Sequence, residues 1–149
     1  MKPEPHSQTI ADAPALAIAT GHNLSLAAIK GGRVLASTDR RLARGHAEAL
    51  LPAIAELLAP LGGRGWPCRR LLVETGPGSF TGLRIGLAAA SGLALAYGAE
   101  LLGVRSTQLV AAEVRAAGEG RELLVALVAP RGQVWLERFA AGSTRSLGP

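Results

Sequence analysis

Three short apolar runs, Leu16–Thr20, Leu24–Ile29 and Arg33–Ser37, are separated by Gly21-His22-Asn23 and by Lys30-Gly31-Gly32. Glycine-containing links of this length join hairpin strands, so the spacing predicts three antiparallel strands in a meander. From His46 the period changes. Leu50, Leu51, Ile54, Leu57 and Leu58 fall within one arc of a helix, with Glu48 and Glu56 on the other side, which predicts an amphipathic helix. Pro52 lies inside that pattern and marks either a kink or the first turn. Gly62, Gly63, Gly65 and Pro67 then break the chain before a strand at Leu71–Thr75. A long helix is expected from about Ser79 to Gly98, then a strand at Leu101–Val104. Ser106 is expected to cap a helix through Ala117, and Leu123–Val128 and Val134–Phe139 form two more strands.

The order βββαβαβα, followed by ββ, specifies an α/β fold whose mixed sheet is covered on both faces. It is the order of a ribonuclease H-like half-domain. Residues 1–14 read as a flexible, Pro-rich leader, 15–120 as the ribonuclease H-like domain, 121–141 as the start of a truncated second domain, and 142–149 as a flexible Gly/Ser/Pro tail. A chain of 149 residues suits one core and buries about 68–70% of its unfolded surface.

With 48% hydrophobic and 18% charged residues, the composition excludes intrinsic disorder. The single Cys68 cannot form an internal disulfide, and neither it nor His6, His22 and His46 supplies metal-ligand spacing, so no metal site is expected. The uncharged stretch Ile85–Ala99, 15 residues rich in Gly and Ala, is shorter than the roughly 20 apolar residues of a bilayer span, so no membrane association is expected. No apolar segment of a signal peptide follows Lys2, and a cytoplasmic location is expected. The net charge of +5 comes from 14 Arg and 2 Lys against 11 acids. With aromatics at 3% there is no stacking platform for single strands, so a generically basic surface is the better reading than a direct RNA-binding face.

The most specific segment is Gly76-Pro77-Gly78-Ser79-Phe80-Thr81-Gly82-Leu83-Arg84-Ile85-Gly86, between a predicted strand and a predicted helix. Glycines there let backbone N–H groups approach an anion at a helix N-terminus, which makes Gly76, Gly78, Ser79, Thr81 and Gly82 candidate anion-binding residues. The Lys-Ser/Thr of a P-loop is absent, and the glycine spacing only approximates a dinucleotide fingerprint. A tight turn that brings the helix close to the sheet is therefore the stronger reading, with Ser79 and Thr81 as N-caps rather than nucleophiles. A small anion- or nucleotide-binding enzyme built on this loop, with Glu74 as its acid, is the alternative; a lone Glu is otherwise a buried-edge or solvent-facing residue. Arg84 and Arg131 read as surface or anion-pairing side chains.

The predicted second helix carries small residues in rows. Gly82, Gly86, Ala90, Ala94 and Gly98 form one, and Ala88, Gly92 and Ala96 another, with few polar residues before Gly98. A helix with almost no wet face needs a cover, so His46, Leu50, Arg84, Ala88, Ser91, Gly92, Leu95 and Ala96 are expected to form a subunit interface, in a homodimer or with another protein. The competing expectation is that the neighbouring helix and the last strands bury it within the chain.

The run GPGSFTGLRIG, with His46-Ala47-Glu48-Ala49-Leu50-Leu51-Pro52 before it, resembles the bacterial threonylcarbamoyladenosine biosynthesis family TsaB, also labelled glycoprotease-like. The likeness runs over roughly Leu16 to Phe139. It implies an actin-like ATPase fold with no catalysis and no cofactor of its own, acting as scaffold for a TsaD-like catalytic subunit. A TsaE-like ATPase is the implied third partner, in modification of adenosine 37 of tRNA, which this chain would contact only indirectly. That family usually carries Asp-Thr where this chain has Ala19-Thr20, and Asp-Ala-Arg where it has Ala129-Pro130-Arg131. Both changes remove a carboxylate and deepen the non-catalytic expectation.

Overall fold

The computed structural model describes residues 12–42, 44–129 and 132–148, so most of the expected leader, together with Arg131, lies outside the described residues. Strands β1 (Ala15–Ala19), β2 (Leu24–Lys30) and β3 (Arg33–Arg40) form the meander, and helix α1 (His46–Leu58) follows. Two short 3-10 turns lead into β4 (Arg70–Glu74), α2 (Phe80–Tyr97), β5 (Glu100–Val104) and α3 (Ser106–Ala116). The chain then adds β6 (Leu123–Val128), β7 (Val134–Phe139) and β8 (Ser146–Gly148). β8 lies in the segment expected as a flexible tail. Its backbone pairs with Arg138 and Phe139 of β7, a contact whose register the polar sequence of the tail does not reveal.

The first five strands make one mixed sheet in the order β3-β2-β1-β4-β5, with β1, β4 and β5 parallel and the meander antiparallel. β6, β7 and β8 form a second, antiparallel sheet. Alternation along the strands sends Leu16, Ile18, Leu24, Leu26, Leu71 and Val73 to one face of the first sheet, where α1 and α2 cover them. Each such side chain contributes about 1.5–3 kcal/mol by leaving water. α1 presents Leu50, Ala53, Ile54, Leu57 and Leu58 to this core, while Leu51 stands outside at the edge of the arc and Ala53 takes its place. Pro52 is on the exposed side of a helix that runs through it.

The expectation of a sheet covered on both faces is corrected. α3 packs on β6, with Ala111 against Val125 and Phe139, rather than across the first sheet. The other face of that sheet is a shallow apolar trough lined by Ala17, Ala19, Ala27, Ile29 and Leu72, with Leu109 of α3 at its margin. Alanine-rich strands alternate too weakly in hydrophobicity for the sequence to tell a half-covered sheet from a fully covered one.

α2 lies on the sheet through Gly82, Gly86, Ala90 and Ala94. A Cβ at Gly82 would collide with the carbonyl oxygen of Thr20, and one at Gly86 with the Thr20 hydroxyl. Gly82→Ala and Gly86→Ala should therefore each lower stability by about 1–3 kcal/mol, the range for overpacking. Gly92 is exposed in the same helix with no atom near its missing Cβ, so Gly92→Ala should raise stability by about 0.5–1 kcal/mol. Urea denaturation midpoints of the three variants check both signs.

Candidate functional site

The C-terminal ends of β1 and β4 meet the turns that follow them, Thr20–Asn23 and Thr75–Ser79. The second turn is the glycine segment. Its Gly76 has φ 99°, a conformation only glycine adopts without strain, and the Gly76-Pro77 peptide bond is cis. A Cβ at Gly78 would lie 2.8 Å from the Cα of Gly21. The Ser79 N–H donates to the Gly21 carbonyl at 2.7 Å, and the Thr20 hydroxyl donates to the Gly82 carbonyl at 2.8 Å. The glycines thus dock one turn against the other.

Of the candidate anion-binding residues, the structure brings Gly76, Gly78, Ser79 and Gly82 together at this contact, but two of their donors are already used. Ser79 gives its N–H to Gly21, and its hydroxyl caps α2 by accepting from the Gly82 N–H at 3.2 Å. Thr81 does not share the capping role; it stands exposed in the first turn of the helix. Ser106, expected as a cap, instead opens α3 as its first residue, behind Arg105 at the N-cap.

The Ser106 hydroxyl donates to Glu74 at 2.6 Å, and Glu74 is the residue the sequence undervalued. Its side chain is 6% exposed, at the end of the central parallel strand. One carboxylate oxygen accepts the consecutive N–H groups of Thr20 at 3.0 Å and Gly21 at 2.6 Å; the other accepts from Ser106 and lies 4.0 Å from His22 Nδ1. The only sequence signal was an acid between a β-strand and a glycine turn, because its partners lie 54, 53 and 32 residues away.

A cleft of about 580 Å³ separates the glycine turn from the second sheet, walled by Pro77, Gly78 and Phe80 on one side and Trp135, Glu137 and Ser146 on the other. Inside it Glu137 accepts from the Thr107 hydroxyl and pairs with Arg105 at 2.8 Å. Burial pushes the Glu137 carboxyl up, but hydrogen bonds from Ser146 and Thr107 and the Arg105 guanidinium outweigh it and hold the group below the usual carboxylate range. Cys68 is buried and its thiol is pushed up by burial, the condition of an inert cysteine. Among the described residues no group of three or more His, Cys, Asp or Glu is placed to hold a metal ion.

The candidate interface residues divide. Arg84, Ala88, Ser91, Gly92, Leu95 and Ala96 all lie exposed on the outer side of α2, with Leu95 86% exposed. Phe80, 74% exposed, shares that side beneath the Arg84 guanidinium, which sits 5.3 Å from its ring centroid. Leu50 is a correction: it is 1% exposed and faces the sheet, because the arc of α1 that carries it is the buried one. His46 is half-buried at the start of α1, with its Nε2 enclosed and, among the described residues, without a hydrogen-bond partner. α1 covers one flank of α2 through Leu93 and Tyr97 but leaves the outer side open, so among the described residues nothing buries it. By length and composition α2 is also apolar enough to cross a bilayer, although its glycine row is engaged with Thr20.

A mixed sheet in the order 3-2-1-4-5, with parallel crossovers and a glycine turn docked on the end of β1, defines a ribonuclease H-like half-domain of the actin-like ATPase class. The family model described as TsaD, tRNA N6-adenosine threonylcarbamoyltransferase, matches residues 34–145, and the chain belongs to that family, within which it is TsaB-like. It is 34% identical over 95 residues to the tRNA threonylcarbamoyladenosine biosynthesis protein TsaB of Escherichia coli, covering 63% of this chain and 41% of that one. To TsaB of Bacillus subtilis it is 32% identical over 101 residues, covering 67% and 44%. The solved structure of YeaZ from Pseudomonas aeruginosa superposes with a TM-score of 0.80 at 27% identity, over 92% of this chain and 65% of that one. The chain thus spans less than half the length of these curated relatives.

A carboxyl held low in the folded state stabilises it above the pKa of the unfolded chain, about 4.3 for Glu, and loses that contribution as pH falls through the folded value. Glu137 should therefore make the melting temperature fall as the solution is acidified below about pH 4.3, and Glu137→Gln should show a shallower fall over that window. Thermal melts of both proteins from pH 6 to pH 3 check the sign.

Proposed function

We propose that the chain is a non-catalytic scaffold in the formation of threonylcarbamoyladenosine at adenosine 37 of tRNA, working in the cytoplasm. It binds a TsaD-like catalytic subunit through the outer side of α2, with a TsaE-like ATPase as third partner and tRNA contacted only indirectly. The observation that carries this reading is the uncovered apolar side of α2, on a chain whose relatives are named for that biosynthesis. Phe80, Ala88, Gly92, Leu95 and Ala96 offer a close-packing helix surface, with Arg84 and Ser91 as its polar members. The non-catalytic part is supported by Ala19 at the end of β1, where an acid would be needed to hold a hydrated cation, and by Glu74, whose oxygens are engaged by the protein itself.

Ala88→Arg and Ala96→Arg should leave the fold intact, since both positions are exposed, and should abolish capture of the TsaD-like subunit from the same cell. Circular dichroism and pull-down of each variant check this. Retained binding would remove α2 as the contact, and a wild type that captures no such subunit would defeat the scaffold reading. Saturable ATP binding by the isolated chain would favour the enzyme alternative, and tRNA binding with a steep salt dependence the RNA-binding one.

A further inference from the structure

The Thr20–Gly21 turn is an anion site that the chain fills itself. Two consecutive backbone N–H groups converge on one oxygen of Glu74, at 3.0 and 2.6 Å, and the Ser106 hydroxyl closes on the other at 2.6 Å. Successive N–H groups pointing into one concavity make a nest that takes an anionic oxygen. We propose that this nest exists independently of the side chain it holds, so that Glu74 acts as a resident anion occupying a preformed site for a small carboxylate.

The donors are positioned by contacts of their own. Thr20 is fixed by its hydroxyl bond to the Gly82 carbonyl and by the close approach of Gly82 and Gly86. Gly21 is fixed from the opposite side, where its carbonyl accepts the Ser79 N–H at 2.7 Å and its Cα lies against Gly78. Ser106 is tied to the glycine turn by its N–H, which donates to the Gly76 carbonyl at 2.9 Å. None of these restraints passes through Glu74. Gly21 also leaves room for the carboxylate, since a Cβ there would lie 2.8 Å from a Glu74 oxygen. Removing the side chain therefore leaves three aimed donors around a space from which Cγ, Cδ and two oxygens have gone. Those are the heavy atoms of acetate.

The test is chemical rescue of Glu74→Ala in the full chain, with acetate and formate as probes and NaCl at matched ionic strength as control. The variant should melt below the wild type. Above half-saturation, acetate should raise its melting temperature by about 3–5 °C for each tenfold increase, beyond the effect of NaCl. The wild type should respond alike to acetate and NaCl, because its nest is full. Glu74→Gln keeps the space filled and should also show no acetate-specific rise. If Glu74→Ala does not fold in NaCl, acetate-dependent recovery of its circular dichroism is the readout. Equal responses of Glu74→Ala to acetate and NaCl, or no recovery in acetate, would overturn the proposal. So would an acetate-specific rise in Glu74→Gln or the wild type, which would locate the binding elsewhere.

Discussion

Helix α2 comes closer to the end of β1 than any side chain would permit, and the site is built on that approach. Gly82 and Gly86 admit the carbonyl and hydroxyl of Thr20 into the space a Cβ would fill, and Gly78 admits the backbone of Gly21. Once the helix is that close, Thr20 can bond to the first turn of the helix and Ser79 can bond back to Gly21. The same approach fixes the direction of two backbone N–H groups toward β4, where Glu74 receives them. The glycine sequence, the buried acid and the seating of the helix are thus consequences of one distance.

Much of the architecture was legible because its signals are local. Glycine links between short apolar runs gave the meander, and the change of period at His46 gave α1, with Leu51 misplaced only because it sits at the boundary of the buried arc. The glycine segment was legible as a tight approach, since glycine's missing side chain is itself the signal. What bonds to Glu74 was not legible, because the Thr20–Gly21 turn after β1 and Ser106 at the start of α3 reach it from two distant segments of the chain. The Arg105, Thr107 and Glu137 group escaped for the same reason, as it joins α3 to the second sheet. Small-residue rows showed that α2 has two packing sides, but not which one the sheet takes. The structure gives the sheet the row from Gly82 to Ala94 and leaves Ala88, Gly92 and Ala96 outside.

The first sheet is covered unevenly. One face carries a dense core of Leu, Ile and Val beneath two helices, while the other presents alanines to an open trough. The second sheet repeats the pattern: Val125 and Phe139 are buried toward α3, and Leu124, Val128, Val134 and Leu136 are exposed. Exposed large apolar side chains gather on the open face of the second sheet, on β3 and on the outer side of α2, while Leu51, Leu101 and Leu109 are exposed singly.

The outer strand β3 has its own bearing on how the chain meets other proteins. Its pairing with β2 is interrupted by a register shift at Ala28 and Ile29, and its far end carries Asp39, which accepts from Asn23 and Ser25, and Arg40, which pairs with Glu56. At the opposite margin β5 is five residues long and begins with Glu100 paired to Arg70. Irregular and charged margins discourage the addition of a foreign strand. Growth of the sheet by edge-to-edge stacking, the route to fibrils for many alanine- and valine-rich strands, is therefore obstructed at both borders, and recognition falls to surfaces that side chains rather than backbone ladders define.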